Sequence, residues 1–176
     1  MKIYYIIQFG KHLSRFFSHV FIRPEGNYYE YVLHHGLSTF LIIFSYTMNM
    51  WLIGIFVLVI HDYTDFALIF ARAYKDYRHR IQWILTIFYI HATVSWFILR
   101  IFIFNYSCVY APWYEAIVDV PKMLSPIEFE VLLLPYYFMC IMLTGLEIMH
   151  LFWTYYILSS FIEVNVSEKI ANHSYD

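Results

Sequence analysis

The sequence predicts an all-α protein, a polytopic transmembrane bundle of about five spans, and three observations predict it. First, 61% of the 176 residues are hydrophobic and only 14% are charged, with a mean hydropathy of +0.57. A water-soluble domain carries about 25% charged residues and needs that polar surface. Second, several apolar runs reach the roughly 20 residues that cross a hydrocarbon core of about 30 Å. Third, a chain crossing lipid must satisfy its own backbone hydrogen bonds, which a helix of this length does within itself.

The elements follow in order. Residues 1–22 have no short apolar core with a small-residue cleavage site, and Lys11, His12 and Arg15 interrupt them, so a membrane helix over 3–22 is expected rather than a signal peptide. Lys11 and Arg15 either face inward or snorkel. Pro24 and Gly26 mark a turn, and a second helix is expected over 28–46. The apolar run continues too far for one span, so the polar break at Ser45, Tyr46, Thr47 and Asn49 separates it from a third helix over 49–74. A basic connection leads to a fourth helix over 81–104. Residues 105–127, with Pro112, Pro121 and Pro126, read as a long irregular segment. The fifth helix is expected over 128–162, with Pro135 tolerated early or as a kink. Residues 1–162 form one transmembrane domain, and 163–176 a polar, disordered cytosolic tail.

Arg72, Lys75, Arg78 and Arg80 crowd one connection, whereas 105–127 has Glu115 and Asp119 against Lys122. The positive-inside rule puts the basic connection in the cytosol. The net charge of −2 and pI near 6.5 leave no basic surface of the kind nucleic acid requires. Cys108 and Cys140 stand far apart without a CxxC pattern, so neither a disulfide framework nor a thiolate metal site is expected.

The stretch 31–74 is overwhelmingly apolar yet carries His34, His35, His61, Asp62 and Asp65. Ionisable groups are costly in hydrocarbon, so they face a bundle interior or cavity and mark a functional site. A lone intramembrane histidine is more often a satisfied contact between helices. Five such groups within 32 residues argue for chemistry. His61 and Asp65 are four apart and Asp62 and Asp65 three apart, so each pair shares a helix face. A carboxylate beside an imidazole favours the base or nucleophile of an acyl transfer. None of the nine histidines has the HxxxH or HxxHH spacing of membrane di-iron enzymes. A single zinc on His34 or His35 with His61 and Asp65 is the lesser alternative, and no metal is expected. His150 and Trp153 lie one turn apart on the last helix. Arg100 is expected to snorkel to the interface.

Together these residues resemble the longevity-assurance ceramide synthases of the TLC-domain superfamily. That family's pattern reads HHxxT, a run ending in SY, NxxRxG, and LHDxSDxxLExAK. Here His34, His35, Ser45, Tyr46, Asn49, Gly54, His61, Asp62, Asp65, Leu68 and Ala71 fall in register. His150 and Trp153 match an LHxxW element. Ser38, Thr64 and Arg72 are conservative departures. Leu52 stands in place of an arginine and Ile69 in place of a glutamate, which reads as the joint loss of one ion pair.

The resemblance implies a bundle of six helices around an acyl cavity, and this chain starts at what looks like the second. An N-terminally incomplete TLC domain is therefore expected, either a fragment or a chain completed by a homo- or hetero-oligomeric partner. The implied reaction is N-acylation of a sphingoid base by fatty acyl-CoA, a co-substrate, at the endoplasmic reticulum membrane. No bound cofactor is implied, and the partners are those two substrates and membrane lipids. His34 or His35 would activate the amine or take the acyl group, with Asp62 and Asp65 polarising the imidazoles. His61 would support the carboxylates, while Ser45, Tyr46, Asn49, His150 and Trp153 would support the site. Acyl selectivity is associated in the family with the segment before the last helix, here 105–127. The rival reading is a non-catalytic TLC protein that binds or senses lipid.

Overall fold

The computed structural model describes residues 2–22, 28–119, 122 and 126–173. Five helices account for nearly all of them: α1 Lys2–Ile22, α2 Tyr28–Thr47, α3 Trp51–Lys75, α4 Gln82–Asp119 and α5 Pro126–His173. No strand occurs among the described residues. Three helical stretches are long and apolar enough to cross a membrane: Trp51–Lys75, Gln82–Asp119 and Leu134–Glu163. At 21 and 20 residues α1 and α2 have the length but not the composition of an independent span. The Pro24–Gly26 turn lies outside the described residues.

The break between α2 and α3 is local chemistry. Asn49 adopts φ 57°, a left-handed conformation that asparagine tolerates better than most residues. The Met50 amide donates to the Ser45 carbonyl at 2.8 Å and the Asn49 amide to that of Tyr46 at 3.2 Å. These are the two bonds of a Schellman motif, with Asn49 at the position usually held by glycine. The short turn makes α2 and α3 antiparallel neighbours.

In α4 the structure departs from the expected ending at residue 104. The helix runs on to Asp119, with wide π-type turns over Phe97–Ile103, Asn105–Tyr110 and Glu115–Asp119. Trp96, Arg100, Phe104, Cys108 and Pro112 are all buried, a strict four-residue stripe. In a pure α-helix such a stripe would drift about 40° per step, and the wider turns absorb that drift. This far end packs on α5: Trp113 Nε1 donates to Thr144 Oγ1 at 2.9 Å, and Tyr136 Oη to Glu115 Oε2 at 3.1 Å. The irregular segment expected over 105–127 is therefore helical through Asp119. The tail expected to be disordered continues α5 as helix to His173.

Helices α2, α3, α4 and α5 close a ring, each packed on the next, and α1 lies along α2. Phe104, Cys108, Met139, Leu143 and Leu146 fill the middle of the ring. Ala67, Ala71, Leu85, Tyr89 and Ala92 join α3 to α4. Tyr5, Ile42 and Leu58 seat α1 against α2 and α3. Cys108 and Cys140 are buried free thiols.

Candidate active site

Four helices bring imidazoles together in a row that starts toward the end of the bundle carrying the basic connection and runs to the middle of α3. His34 and His35 come from α2, His61 from α3, His150 from α5, and His12 and His19 from α1. The rings form a chain. His19 lies 5.0 Å from His35, His35 5.3 Å from His34, His34 6.3 Å from His61 and His61 4.9 Å from His150, centroid to centroid. His12 adds a branch 6.0 Å from His35. The Trp153 ring meets His34 edge-on at 4.8 Å, and its Nε1 donates to Glu30 Oε2 at 3.3 Å.

The carboxylates expected to polarise these rings do something else. Asp62 accepts from Tyr4 Oη at 2.9 Å and from Gln8 and Lys11, which pins α1 to α3. Asp65 pairs with Arg100. Neither carboxylate has a hydrogen bond to an imidazole among the described residues. The reason is competition: cations and amides reach each aspartate first, and a charge-assisted pair is the stronger bond. Lys11 thus faces inward, the first of the two options open from sequence.

Arg100 does not snorkel. It is 1% exposed. Its Nε donates to Thr64 Oγ1 at 2.6 Å and its Nη2 to the His61 carbonyl at 3.1 Å, while its Cζ sits 4.4 Å over the Trp96 ring. A guanidinium buried in this way is held by a planar fork of donors that lysine lacks.

His61 supports no carboxylate either. Its Nδ1 donates to the Val57 carbonyl at 2.7 Å, which leaves Nε2 to face Nε2 of His150 at 3.0 Å. On its other side His150 Nδ1 lies 3.2 Å from Glu147 Oε2, and Asn105 Nδ2 donates to Glu147 Oε1 at 3.3 Å. Glu147 was overlooked in the sequence, although a carboxylate inside the apolar run around LEIMH is itself a signal. His12 and His19 were overlooked too. With Gln8, Lys11 and Arg15 they repeat every three or four residues along one face of α1.

Nδ1 of His34 and of His35 is buried and has no hydrogen-bond partner among the described residues. Both rings line a cavity of about 400 Å³, together with Arg15, Asp65, Arg72, Arg100 and Trp153. A separate narrow apolar slot of about 40 Å³, lined by His12 and His61 at one end, lies between α1, α2, α3 and α5. Ser45 and Gly54 line its far end, where Tyr5 Oη meets Ser45 Oγ. Of the remaining expected supporting residues, Tyr46 is exposed and Asn49 caps the end of α2, so neither reaches the histidines. Eleven residues of helix separate Ser45 from His34, about 16 Å. Leu52 and Ile69 are both exposed and 17 residues apart on α3, roughly 25 Å. They are too distant to stand for one lost ion pair. Among the described residues no three His, Cys, Asp or Glu side chains converge as a metal ligand set.

The family model described as a TLC domain matches residues 1–159. The chain belongs to the TLC-domain family. Ceramide synthase 4 of Bos taurus is 30% identical over 94% of this chain and 40% of its own length. The human ceramide synthase 4 is 29% identical, with the same coverage of each. A Caenorhabditis elegans ceramide synthase is 26% identical over 86% of this chain and 46% of its own length. The chain therefore spans about two fifths of the length of the first two relatives. No solved structure matches it. A ceramide synthase-like role on a membrane-spanning TLC bundle is what these relatives support.

Proposed function

We propose that the chain carries the acyl-transfer site of a ceramide synthase, moving a fatty acyl group from acyl-CoA to the amine of a sphingoid base in the endoplasmic reticulum membrane. One observation carries this reading: two adjacent buried imidazoles, each with an Nδ1 that has no hydrogen-bond partner among the described residues, line a cavity that also holds three arginines, and His34 lies 6.3 Å from His61, which lines the apolar slot. Arg15 and Arg72 suit the phosphates of CoA, which arrive from water. The slot suits hydrocarbon, provided the helices part to admit it. The relatives named ceramide synthase support a ceramide synthase-like role, from which these substrates are proposed.

An amine attacks a thioester only as the free base, and the reaction releases one proton with the CoA thiol. His34 or His35 takes the proton from the ammonium, or forms a transient acyl-imidazole that the amine then opens. Arg100, locked by Asp65 and stacked on Trp96, keeps a positive charge beside the cavity where negative charge develops on the thioester oxygen.

The test is ceramide formation by membranes containing the chain, supplied with a long-chain base and a panel of acyl-CoAs. His34→Ala and His35→Ala are each expected to lower it at least about 100-fold. Undiminished product in both variants removes the acyltransferase reading. A second reading, lipid binding without turnover, is favoured by the small volume of the slot as it stands. It predicts no ceramide from the unchanged chain together with long-chain lipid that co-purifies with it.

A further inference from the structure

The chain Glu147–His150–His61 leads away from the cavity into the ring of helices, and the acyl-transfer scheme above does not use it. We infer that it is a proton-shifting positioning device that delivers a positive charge beside His34, with Glu147 as its buried acid. This rests on the acyltransferase reading of the site.

Hydrogen-bond bookkeeping leads there. The Val57 carbonyl can only accept, so His61 holds a hydrogen on Nδ1 and offers Nε2 as an acceptor. The 3.0 Å contact between the two Nε2 atoms therefore needs a hydrogen on His150. The 3.2 Å contact from His150 Nδ1 to Glu147 then needs one more, carried by the imidazole or by the carboxyl group. In every arrangement that satisfies all three contacts, the trio holds the same number of protons and no net charge.

Those protons can move in step. When the Glu147 proton passes to Nδ1 of His150 and the Nε2 proton of His150 passes to Nε2 of His61, the result is carboxylate, neutral imidazole and imidazolium. No atom is gained or lost. The positive charge now sits on a ring whose centroid is 6.3 Å from that of His34 and whose plane lies 19° from parallel to it. Water is kept out of the path, since His150 is fully buried and Glu147 and His61 are nearly so. In such surroundings a positive charge beside His34 disfavours proton uptake by that ring, so the device serves the route in which His34 takes the acyl group, where the charge offsets the negative charge that develops on the thioester oxygen.

The groups that face the trio leave this charge choice to Glu147. From α2 comes His34, and from α4 come Arg100, Asn105 and Cys108. Arg100 is a fixed cation already matched by Asp65. Its repulsion must be offset before His61 or His150 can charge, and within hydrogen-bond reach of the pair only Glu147 among the described residues is an acid. Asn105 holds the second Glu147 oxygen in place. His61, with both nitrogens engaged, acts on substrate through His34 and not directly.

The experiment compares the full chain with Glu147→Gln in the same membranes, following ceramide formation from a fluorescent long-chain base and acyl-CoA across pH. The amide keeps the size and the Asn105 contact but cannot compensate an imidazolium. The expected result is a kcat lower by about ten- to a hundredfold at neutral pH with KM little changed. Activity should recover toward acid pH, because only a higher proton concentration then charges the ring. A profile of unchanged shape, whether scaled down or not, overturns the inference and leaves the acyltransferase reading standing. An unchanged chain that makes no ceramide overturns both. Should Glu147→Gln fail to accumulate in the membrane, His61→Gln gives the second reading. It offers His150 an acceptor but holds no charge, and is expected to lose the same activity without acid recovery. Wild-type kinetics in that variant also overturn the inference.

Discussion

At the scale of single residues, the decisive pair is Asp65 with Arg100. The guanidinium is almost fully buried while the carboxylate keeps over a third of its surface exposed. The two partners are therefore unequal in what their loss would cost. Removing Arg100 leaves an aspartate that water can still reach. Removing the charge of Asp65 leaves a cation shut inside the bundle, and stranding a buried charge costs about 3–5 kcal/mol. Asp65→Asn is expected to melt well below the parent in detergent, and Asp65→Leu combined with Arg100→Met to recover part of the loss. A double variant no more stable than Asp65→Asn would show that the pair does not carry this burden. Sequence placed His34, His35 and His61 in one site because paired histidines and HDxxD are rare in apolar runs. It misassigned Asp62, Asp65 and Arg100 because helix spacing shows which residues share a face, not which partner reaches them first. Glu147 differs: a carboxylate in an apolar run three residues from His150 is a signal the sequence does carry, and only its contact with Asn105 depends on how α4 lies against α5.

At the scale of the helices, close approach between α1, α2 and α3 depends on Gly54. A Cβ there would overlap Tyr5 Oη and lie 3.0 Å from Ser45 Oγ. Gly54→Ala must therefore push the tyrosine aside and break its contact with Ser45, an overpacking that costs about 1–3 kcal/mol. Tyr5→Phe removes the offending oxygen. The double variant Gly54→Ala with Tyr5→Phe is expected to regain thermal stability relative to Gly54→Ala alone, whereas additive losses would mean that the helices, not the hydroxyl, collide. Gly54 and Ser45 stood in the family's register, but their role was not legible, since a contact to α1 depends on how α1 is laid down. The break at Asn49 was legible because the polar cluster and an αL-tolerant residue mark a helix end in any context. The segment 105–127 was misread for a related reason: Pro112, Pro121 and Pro126 punctuate it as they would a loop. A four-residue stripe is neither α-helical nor strand-like, and it makes sense only with the wide turns of α4.

At the scale of the whole molecule, length decides how the bundle sits. With 38 and 48 residues, α4 and α5 reach about 57 and 72 Å at 1.5 Å per residue, well beyond a hydrocarbon core of about 30 Å. Both must project past the membrane. Since α4 leaves the basic connection at Gln82, its excess lies at the opposite end, around Tyr110 to Asp119, where the start of α5 packs against it. His34, His35 and the cation-lined cavity lie toward the basic end, as Arg72, one turn from the end of α3, marks. If that end is cytosolic, as the positive-inside rule expects, a CoA ester reaches the imidazoles without crossing the bilayer. The two ends can be told apart by labelling, because Cys108 and Cys140 are each fully buried and should stay silent to a membrane-impermeant maleimide. In the endoplasmic reticulum membrane proposed above, a cysteine in place of Arg78 is expected to label in cells once the plasma membrane alone is opened. One in place of the exposed Tyr110 should label only after the inner membranes are opened as well. The reverse pattern would put the cavity on the lumenal side, away from cytosolic acyl-CoA, and the proposed reaction would lose its substrate.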